Sequence, residues 1–309
     1  MIDSVGTPLL YAVFTAVVLG LLAIDLGVFQ RKAHVMRMRE AVTWSVVWIG
    51  LAVLFNVWIG WRFGPVKGLE FTTGYVIEKA LSVDNVFIFL VIFSTFRVPD
   101  AQQHRVLFWG VLGALVLRGA FIAAGAAALH AFHGVIYVFG GILLLTGGRL
   151  LATRDHEEHP ERNPAFRLLT RVIPSTPDYH GDHFWIRVGA RRLATPLFLV
   201  LVLIEITDVI FAVDSIPAVF AVTKDPFLVF TSNVFAILGL RALYFCVAGF
   251  VSRLRHLKIG LALVLIFVAL KMLLTDVVEV PIGVSLAVVG SILGGAVATS
   301  LLADRRGRT

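Results

Sequence analysis

The chain has 309 residues, of which 58% are hydrophobic and 15% are charged. Soluble globular proteins carry about 25% charged residues, so this composition excludes a soluble domain and predicts an all-α protein of the membrane. The formal net charge of +7 is no sign of nucleic-acid binding, because the basic residues are distributed as in a membrane topology.

Apolar segments of about 20 residues are long enough to cross a hydrocarbon core of about 30 Å. About nine transmembrane helices are predicted in chain order, at 8–29, 41–61, 71–96, 106–129, 132–152, 196–222, 227–251, 258–276 and 280–302. The first segment follows no basic region, so it is predicted to be an uncleaved helix rather than a signal peptide. The chain 1–309 is therefore predicted to form a single polytopic membrane domain.

The basic residues predict the orientation of these helices. If the N-terminus lies outside, the cytoplasmic segments hold nineteen Lys and Arg residues and the outside loops hold three. Cytoplasmic loops of membrane proteins carry an excess of Lys and Arg. The sequence therefore predicts an N-terminus outside and a C-terminus in the cytoplasm.

The polar segment at about 153–195 is predicted to be a cytoplasmic linker between two halves of the chain. It contains two histidine pairs at a spacing of three residues, His156 with His159 and His180 with His183. Such a His-rich tract could bind a metal ion, and it could equally be a solvated loop.

Two acidic motifs recur at an offset of 130 residues, "SVDN" at 82–85 and "AVDS" at 212–215. The offset aligns Glu78 with Asp208, Asp84 with Asp214 and Asn85 with Ser215. Further along, "LVLR" and "LGLR" match in the same order and end at Arg118 and Arg241. Matches in the same order at similar spacing predict an internal duplication.

The predicted repeats cover about 71–152 and about 196–276, and the spans 8–29, 41–61 and 280–302 are additions. Each repeat holds three spans, so the two copies would cross the membrane in opposite directions. This 3+3 inverted-topology repeat is typical of secondary transporters, whose substrate sites lie near the membrane midplane between the repeats.

Acidic residues within the predicted spans need a partner. They are Asp25, Glu78, Asp84, Glu205, Asp208 and Asp214. A charged residue at the centre of a membrane helix costs about 2.5–3.5 kcal/mol. These carboxylates must therefore face a wet cavity, pair with bases, bind a cation or be protonated. Asp25 lies near the cytoplasmic end of its span, where it is either interfacial or a further ligand.

Helix geometry restricts which acids can share a site. Glu205 and Asp208 are three residues apart and lie on one face. Residues six apart, such as Glu78 and Asp84, lie about 240° apart around an ideal helix. A break in each helix would solve this, and Pro217 predicts one in the second copy. In the first copy the expected break lies at 82–85.

The candidate ligands are oxygen donors, which suit Mg²⁺, Ca²⁺ or Mn²⁺ better than soft metals. Besides the acids they are Asn85 and Ser215, with Ser82 as a further candidate. Arg118 and Arg241 are predicted to tune the carboxylate charge. They could instead neutralise Asp84 and Asp214 in purely structural ion pairs, and the same carboxylates could relay protons.

With these motifs the chain resembles the TerC family of integral membrane proteins, which is named for tellurite resistance. The resemblance is carried by "EFTTGYVIEKALSVDNVFIF" (70–89), "HRVLFWGVLGALVLRG" (104–119) and "ATPLFLVLVLIEITDVIFAVDSIPAVFAVTKDPFLVFTSNVFAILGLRALYF" (194–245). It implies metal-ion homeostasis, especially Mn²⁺ efflux. The family's acidic positions match Glu78, Asp84, Glu205, Asp208 and Asp214 in this sequence.

Together these observations predict a multi-pass exporter of a divalent cation in the bacterial inner membrane, with Mn²⁺ as the favoured ion. Proton antiport is the hypothesised coupling. No HExxH or GxSxG motif is present, so an enzyme is not expected. The expected partners are the metal ion and the lipid bilayer, with no resident cofactor and no nucleic acid. The alternative is a non-transporting scaffold for tellurite or stress response, or for metalation of exported enzymes, with cytoplasmic or membrane protein partners.

Overall fold

The computed structural model describes residues 4–29, 38–132, 134–152, 173–188, 191–248, 257–278 and 280–306, without the side chains of 25–29, 84, 191, 248, 301 and 304–306. The helices are α1 (Pro8–Phe29), α2 (Met38–Phe63), α3 (Pro65–Thr95), α4 (Asp100–Ala131), α5 (Val135–Ala152), α6 (Pro196–Phe220), α7 (Pro226–Leu238), α8 (Leu240–Ala248), α9 (Leu257–Leu273) and α10 (Ile282–Arg306). The prediction of an all-α membrane protein is confirmed.

Each predicted span coincides with a helix, and the seventh coincides with the pair α7 and α8. Within the described residues, α2, α4, α5, α6 and α10 are long and apolar enough to cross a membrane alone. The pair α7 and α8, bent by 44°, would make a sixth span. Helix α3, with five charged residues, and helix α9, with only 17 residues, are not among these helices. The count of nine spans stays a prediction.

Proline sets the start of three central helices. Helices α3, α6 and α7 begin at Pro65, Pro196 and Pro226. At the first position of a helix, proline loses no hydrogen bond and its fixed φ suits the helix. The residue before Pro65 is Gly64 at φ +98°, a conformation that glycine adopts without strain, and it allows the tight turn from α2 to α3.

Helix α3 lies at the centre of the bundle and packs against α2, α6, α7, α8 and α10. Helix α4 packs mainly on α6, and α5 packs mainly on α9. The pairs α3 with α7 and α4 with α6 are therefore matched contacts between the two predicted repeats. Helices α3, α4, α6 and α7 therefore pack together and enclose the centre of the bundle.

The predicted breaks in the acidic helices are wrong. Helix α3 continues without interruption through residues 82–85, and α6 continues past Pro217 to Phe220. Pro217 lies in the last turn of α6, where the Ala221 amide still donates to the Pro217 carbonyl at 3.0 Å. The break lies instead at Gly239, between α7 and α8, within the segment 227–251 that was predicted as one span.

The N-terminal segment is fastened to the start of α7. Asp225 caps α7 by accepting from the Phe227 amide at 3.0 Å. The same carboxylate accepts from the Ser4 hydroxyl and the Val5 amide, both at 2.8 Å. Lys67 on α3 lies 3.9 Å from it. These contacts join α1, α3 and α7 at one end of the bundle.

The described part of the polar segment packs at the other end of the bundle, where α3 ends and α4 begins. Strands β1 (Trp185–Val188) and β2 (Arg191–Ala194) form an antiparallel hairpin that sequence reasoning missed. Tyr179 donates to the Phe96 carbonyl at 2.7 Å, and burial raises the pKa of Tyr179 to about 12. Residues 153–172, including His156 and His159, lie outside the described residues.

Candidate functional site

Arg118 is the centre of a buried ion-pair network. It lies in the middle of α4 and is only 2% exposed. Its Nε and Nη2 atoms donate to the two carboxylate oxygens of Asp208 on α6, at 3.0 and 2.7 Å. Its Nη1 atom donates to Glu78 on α3, whose side chain is fully buried. One guanidinium thus binds an acid from each predicted repeat, and its bidentate contact fixes the Asp208 carboxylate.

Polar side chains complete the shell around this network. Asn233 on α7 donates to Glu78 Oε2 at 2.9 Å, and its Oδ1 lies 3.3 Å from Arg118 Nη1. The Ser215 hydroxyl lies 3.3 Å from the same nitrogen. Asn85 is best satisfied with Oδ1 facing Arg118 Nη2 at 3.2 Å and Nδ2 donating to the Leu81 carbonyl at 3.1 Å. The charges are therefore hydrogen-bonded as well as paired, which is what burial of ions demands.

Glu205 lies one helical turn before Asp208 on α6 and is partly buried. Its Oε2 atom is buried without a hydrogen-bond partner. The carboxylate packs directly against Gly113 on α4, where an added Cβ would collide with both carboxylate oxygens. Glycine at this position therefore makes the space that the carboxylate occupies.

We expect Gly113→Ala to displace the Glu205 carboxylate, because the new methyl group would take its space. Overpacking of this kind typically costs about 1–3 kcal/mol, which a lower midpoint of thermal unfolding would report. Gly141→Ala is the matched control, since nothing lies within 4 Å of a Cβ there. Equal stability of the Gly113 and Gly141 variants would contradict the assigned contact.

Asp214 lies apart from the Arg118 network. It is partly buried, and its Oδ1 atom accepts from the Thr146 hydroxyl of α5 at 2.9 Å. Asp208 and Asp214 are six residues apart on one continuous helix, so they face about 240° apart. Along α6 the order is Glu205, then Asp208 with Arg118 and Glu78, then Asp214. At 1.5 Å per residue this series spans about 13 Å along the helix.

The other predicted residues take different places. Ser82 and Arg241 are buried, at 1% and 6% exposure, and Arg241 is the second residue of α8. Asp25 lies in α1 and Asp84 in α3, but their side chains lie outside the described part of the structure. Among the described side chains, no three His, Cys, Asp or Glu residues are grouped closely enough to hold a metal ion. The ligand assignment therefore stays a prediction, and Arg118 is the cation between Glu78 and Asp208 in this conformation.

Sequence reasoning missed three residues of the site. Asn233, Thr146 and Gly113 contact Glu78, Asp214 and Glu205 respectively. The polar triplet at 231–233 inside an apolar run was the available signal for Asn233. A single threonine or glycine in a membrane helix is common, so Thr146 and Gly113 carried none.

The long apolar helices and the charged residues buried between them define an integral, multi-pass membrane protein. The model of the Integral membrane protein TerC family matches residues 63–308, and the chain belongs to this family. The resemblance noted from the motifs is thus confirmed.

Relatives are similar to the chain over nearly its whole length. An "Uncharacterized membrane protein STKORF319" of Myxococcus xanthus is 53% identical and covers 99% of this chain and 96% of its own. A protein of Escherichia coli K12 with the name "Putative membrane-bound redox modulator Alx" is 48% identical over 94% of each chain. An "Uncharacterized membrane protein" of Rickettsia bellii is 36% identical over 92% of this chain and 94% of its own. No solved structure matches this chain.

Proposed function

We propose that the protein is a membrane transporter that exports a divalent cation, with Mn²⁺ as the preferred ion. The path would follow the acidic residues Glu205, Asp208 and Asp214 along α6. The observation that carries this proposal is the Arg118 network, in which a fixed cation lies between acids from two helices. Buried ion pairs contribute little net stability compared with apolar packing of the same volume. Ionisable residues in the membrane interior therefore favour an ion pathway over a purely structural role.

Arg118 acts in this proposal as a tethered cation. When no metal is bound, the guanidinium neutralises Glu78 and Asp208, as in the described conformation. A divalent ion entering the site would displace it and use the same carboxylates together with the Asn233 and Ser215 oxygens. These are hard ligands of the type that Mn²⁺, Mg²⁺ and Ca²⁺ prefer.

Glu205 and Asp214 serve as the stations on either side of this central site. Glu205 has a buried oxygen without a partner, and Asp214 is held by a single described hydrogen bond from Thr146. Both are partly buried, whereas Asp208 is buried. An ion could thus pass from one partly buried carboxylate to the other only when the central pair opens. Proton antiport would follow if a carboxylate that releases the ion takes up a proton.

The proposed architecture is the 3+3 inverted-topology repeat, with α3 to α5 as one unit and α6 to α9 as the other. The matched packing of α3 on α7 and of α4 on α6 supports it, as does the contact of α3 with α6. Under a two-fold axis in the membrane plane, each of these pairs maps onto the other or onto itself. The positive-inside distribution supports an N-terminus outside and an inner-membrane location.

The test is flux of Mn²⁺, Ca²⁺ and Mg²⁺ in liposomes that contain the purified chain and an ion-sensitive dye. We expect a protein-dependent flux that is fastest for Mn²⁺ and rises with an opposing proton gradient. Empty liposomes and liposomes that carry an unrelated membrane protein are the controls. If each of the three ions moves no faster with the purified chain than in the two control preparations, the transport proposal is wrong and the scaffold role remains.

The name of the Escherichia coli relative suggests a redox role as a second candidate. This sequence has one cysteine, Cys246, so two thiols of one chain cannot form a disulfide. Cys246 lies in α8, with Sγ 3.6 Å from the Ser45 hydroxyl of α2. The transport proposal is compatible with an indirect redox role, through the supply of a redox-active metal ion.

A further inference from the structure

Lys79 is a charged residue of the membrane region that the proposed transport site does not use. It follows Glu78 directly on α3, so the two side chains leave the helix in different directions. Its Nζ atom donates to the Ala236 carbonyl oxygen near the end of α7, at 3.2 Å. The side chain is therefore directed into the junction of α3 with α7 and α8.

This junction is the break between α7 and α8. Helix α7 ends at Leu238 and α8 begins at Leu240, and their axes differ by 44°. The last carbonyls of a helix lack the amide partners that a continuing helix would supply. In a membrane such groups need a partner within the protein. An ammonium group at a helix C-terminus also complements the negative end of the helix dipole.

Gly239, the residue at the break, makes space for this lysine. A Cβ at this position would lie 2.8 Å from Lys79 Nζ and 3.4 Å from Trp48 Cβ on α2. Any larger residue would therefore displace the ammonium group or α2. Because Gly239 has no side chain, the ammonium group of Lys79 on α3 can lie next to the backbone at the break.

Two consecutive residues of α3 thus hold α7 just before its break. Glu78 accepts from Asn233, and Lys79 donates to Ala236 three residues further on. Arg241 follows on the other side of the break. A shift of the end of α7 would move Asn233 relative to Glu78 and Arg118.

We propose that Lys79 is a positioning residue, which holds the break between α7 and α8 through the Ala236 carbonyl and so keeps Asn233 on Glu78. This inference concerns the site of the proposed transporter and rests on that proposal for its functional meaning. The geometry that it describes can be tested without any transport measurement.

Hydrogen exchange of an amide at the start of α8 provides the reporter. The Leu243 amide donates to the Gly239 carbonyl at 2.9 Å, so this hydrogen bond begins at the break. Helix α8 lies against α2, where Cys246 contacts Ser45. If Lys79 holds the break, then its loss lets this part of α8 open more often. We expect Lys79→Met to increase the exchange rate of the Leu243 amide by about tenfold in the purified full chain, because the lost hydrogen bond involves a charged donor.

Three further variants make this result specific. Lys79→Arg keeps a positive donor and should restore slow exchange, within about twofold of the original rate. Gly239→Ala should raise the rate as Lys79→Met does. The rate of the double variant should exceed that of neither single variant, because both changes remove the same contact, between Lys79 and Ala236. Lys271→Met is the control, since Lys271 is another membrane lysine, bonded to Ser285 at 3.0 Å, and should leave the rate unchanged.

An unchanged exchange rate in Lys79→Met, or equally fast exchange in Lys79→Arg, would overturn the positioning role. Failure of the transport proposal gives a different pattern. In that case no divalent ion moves through the original chain in liposomes, while the exchange rates still follow the order predicted from the break.

Discussion

Arg118→Met is expected to destabilise the protein by about 3–5 kcal/mol, because it leaves the carboxylates of Glu78 and Asp208 buried without their cation. Both acids are at most 2% exposed, so water cannot replace the guanidinium without opening the bundle. Thermal unfolding in detergent measures the effect, and we expect a midpoint lower by about 10 °C. Arg105→Met is the control, since the Arg105–Asp182 pair at 3.7 Å lies at the surface with both side chains at least one-third accessible, and should contribute about 1 kcal/mol or less.

The same variant separates a metal pathway from a purely structural ion pair. If the carboxylates can bind a divalent ion, then Mn²⁺ should stabilise Arg118→Met strongly and the original chain weakly. Ligand at a hundredfold excess over its dissociation constant adds about 2.7 kcal/mol. The triple variant that adds Glu78→Gln and Asp208→Asn has no net charge at the centre, so it should recover stability without responding to Mn²⁺. Full stability of Arg118→Met without metal would contradict the network.

Most of the bundle was predictable from the sequence because apolar runs bounded by polar residues define membrane helices. The runs around α4 and α6, for example, predicted helices whose bounds differ from the observed ones by a few residues. The acids at the centre were also predictable, since a carboxylate in lipid is costly wherever it occurs. Ion pairing of Arg118 was among the alternatives, but with Asp84 or Asp214 as the expected partner, whereas its described partners are Glu78 and Asp208.

The helix break could not be located from the sequence. Pro217 suggested a break in α6, but a proline in the last turn removes one hydrogen bond while the following residues stay helical. Gly239 gave no such signal, since glycine is frequent in membrane helices. Its break depends on Lys79 of α3 and Trp48 of α2, which come together only through the packing of three helices.

The partners of the acids were equally dependent on tertiary packing. Two acids six residues apart were expected at one site, yet α6 is continuous and presents Asp208 to Arg118 and Asp214 to Thr146. Periodicity shows that residues share a face, but it does not show which helix covers that face. The contacts of Asn233 and Gly113 arise for the same reason.

Asp214→Asn is expected to lower Mn²⁺ transport about 100-fold while the fold persists. Asp214 is partly buried and its described hydrogen bond comes from a neutral hydroxyl, which can also donate to an amide oxygen. The Arg118 network does not include it, so we expect stability to change by about 1 kcal/mol or less. Its charge is needed only if a cation passes along α6. Asp84→Asn, in the matching position of the first motif, should give the same loss.

Initial Mn²⁺ flux in liposomes that contain equal amounts of the original chain, Asp214→Asn or Asp182→Asn tests the carboxylate pathway most directly. Asp182 is an exposed acid of the polar segment, with 48% of its side chain accessible, and its variant serves as the matched control. The proposed pathway predicts rapid flux through the original chain and Asp182→Asn, and almost none through Asp214→Asn. Flux through Asp214→Asn at the original rate would contradict it.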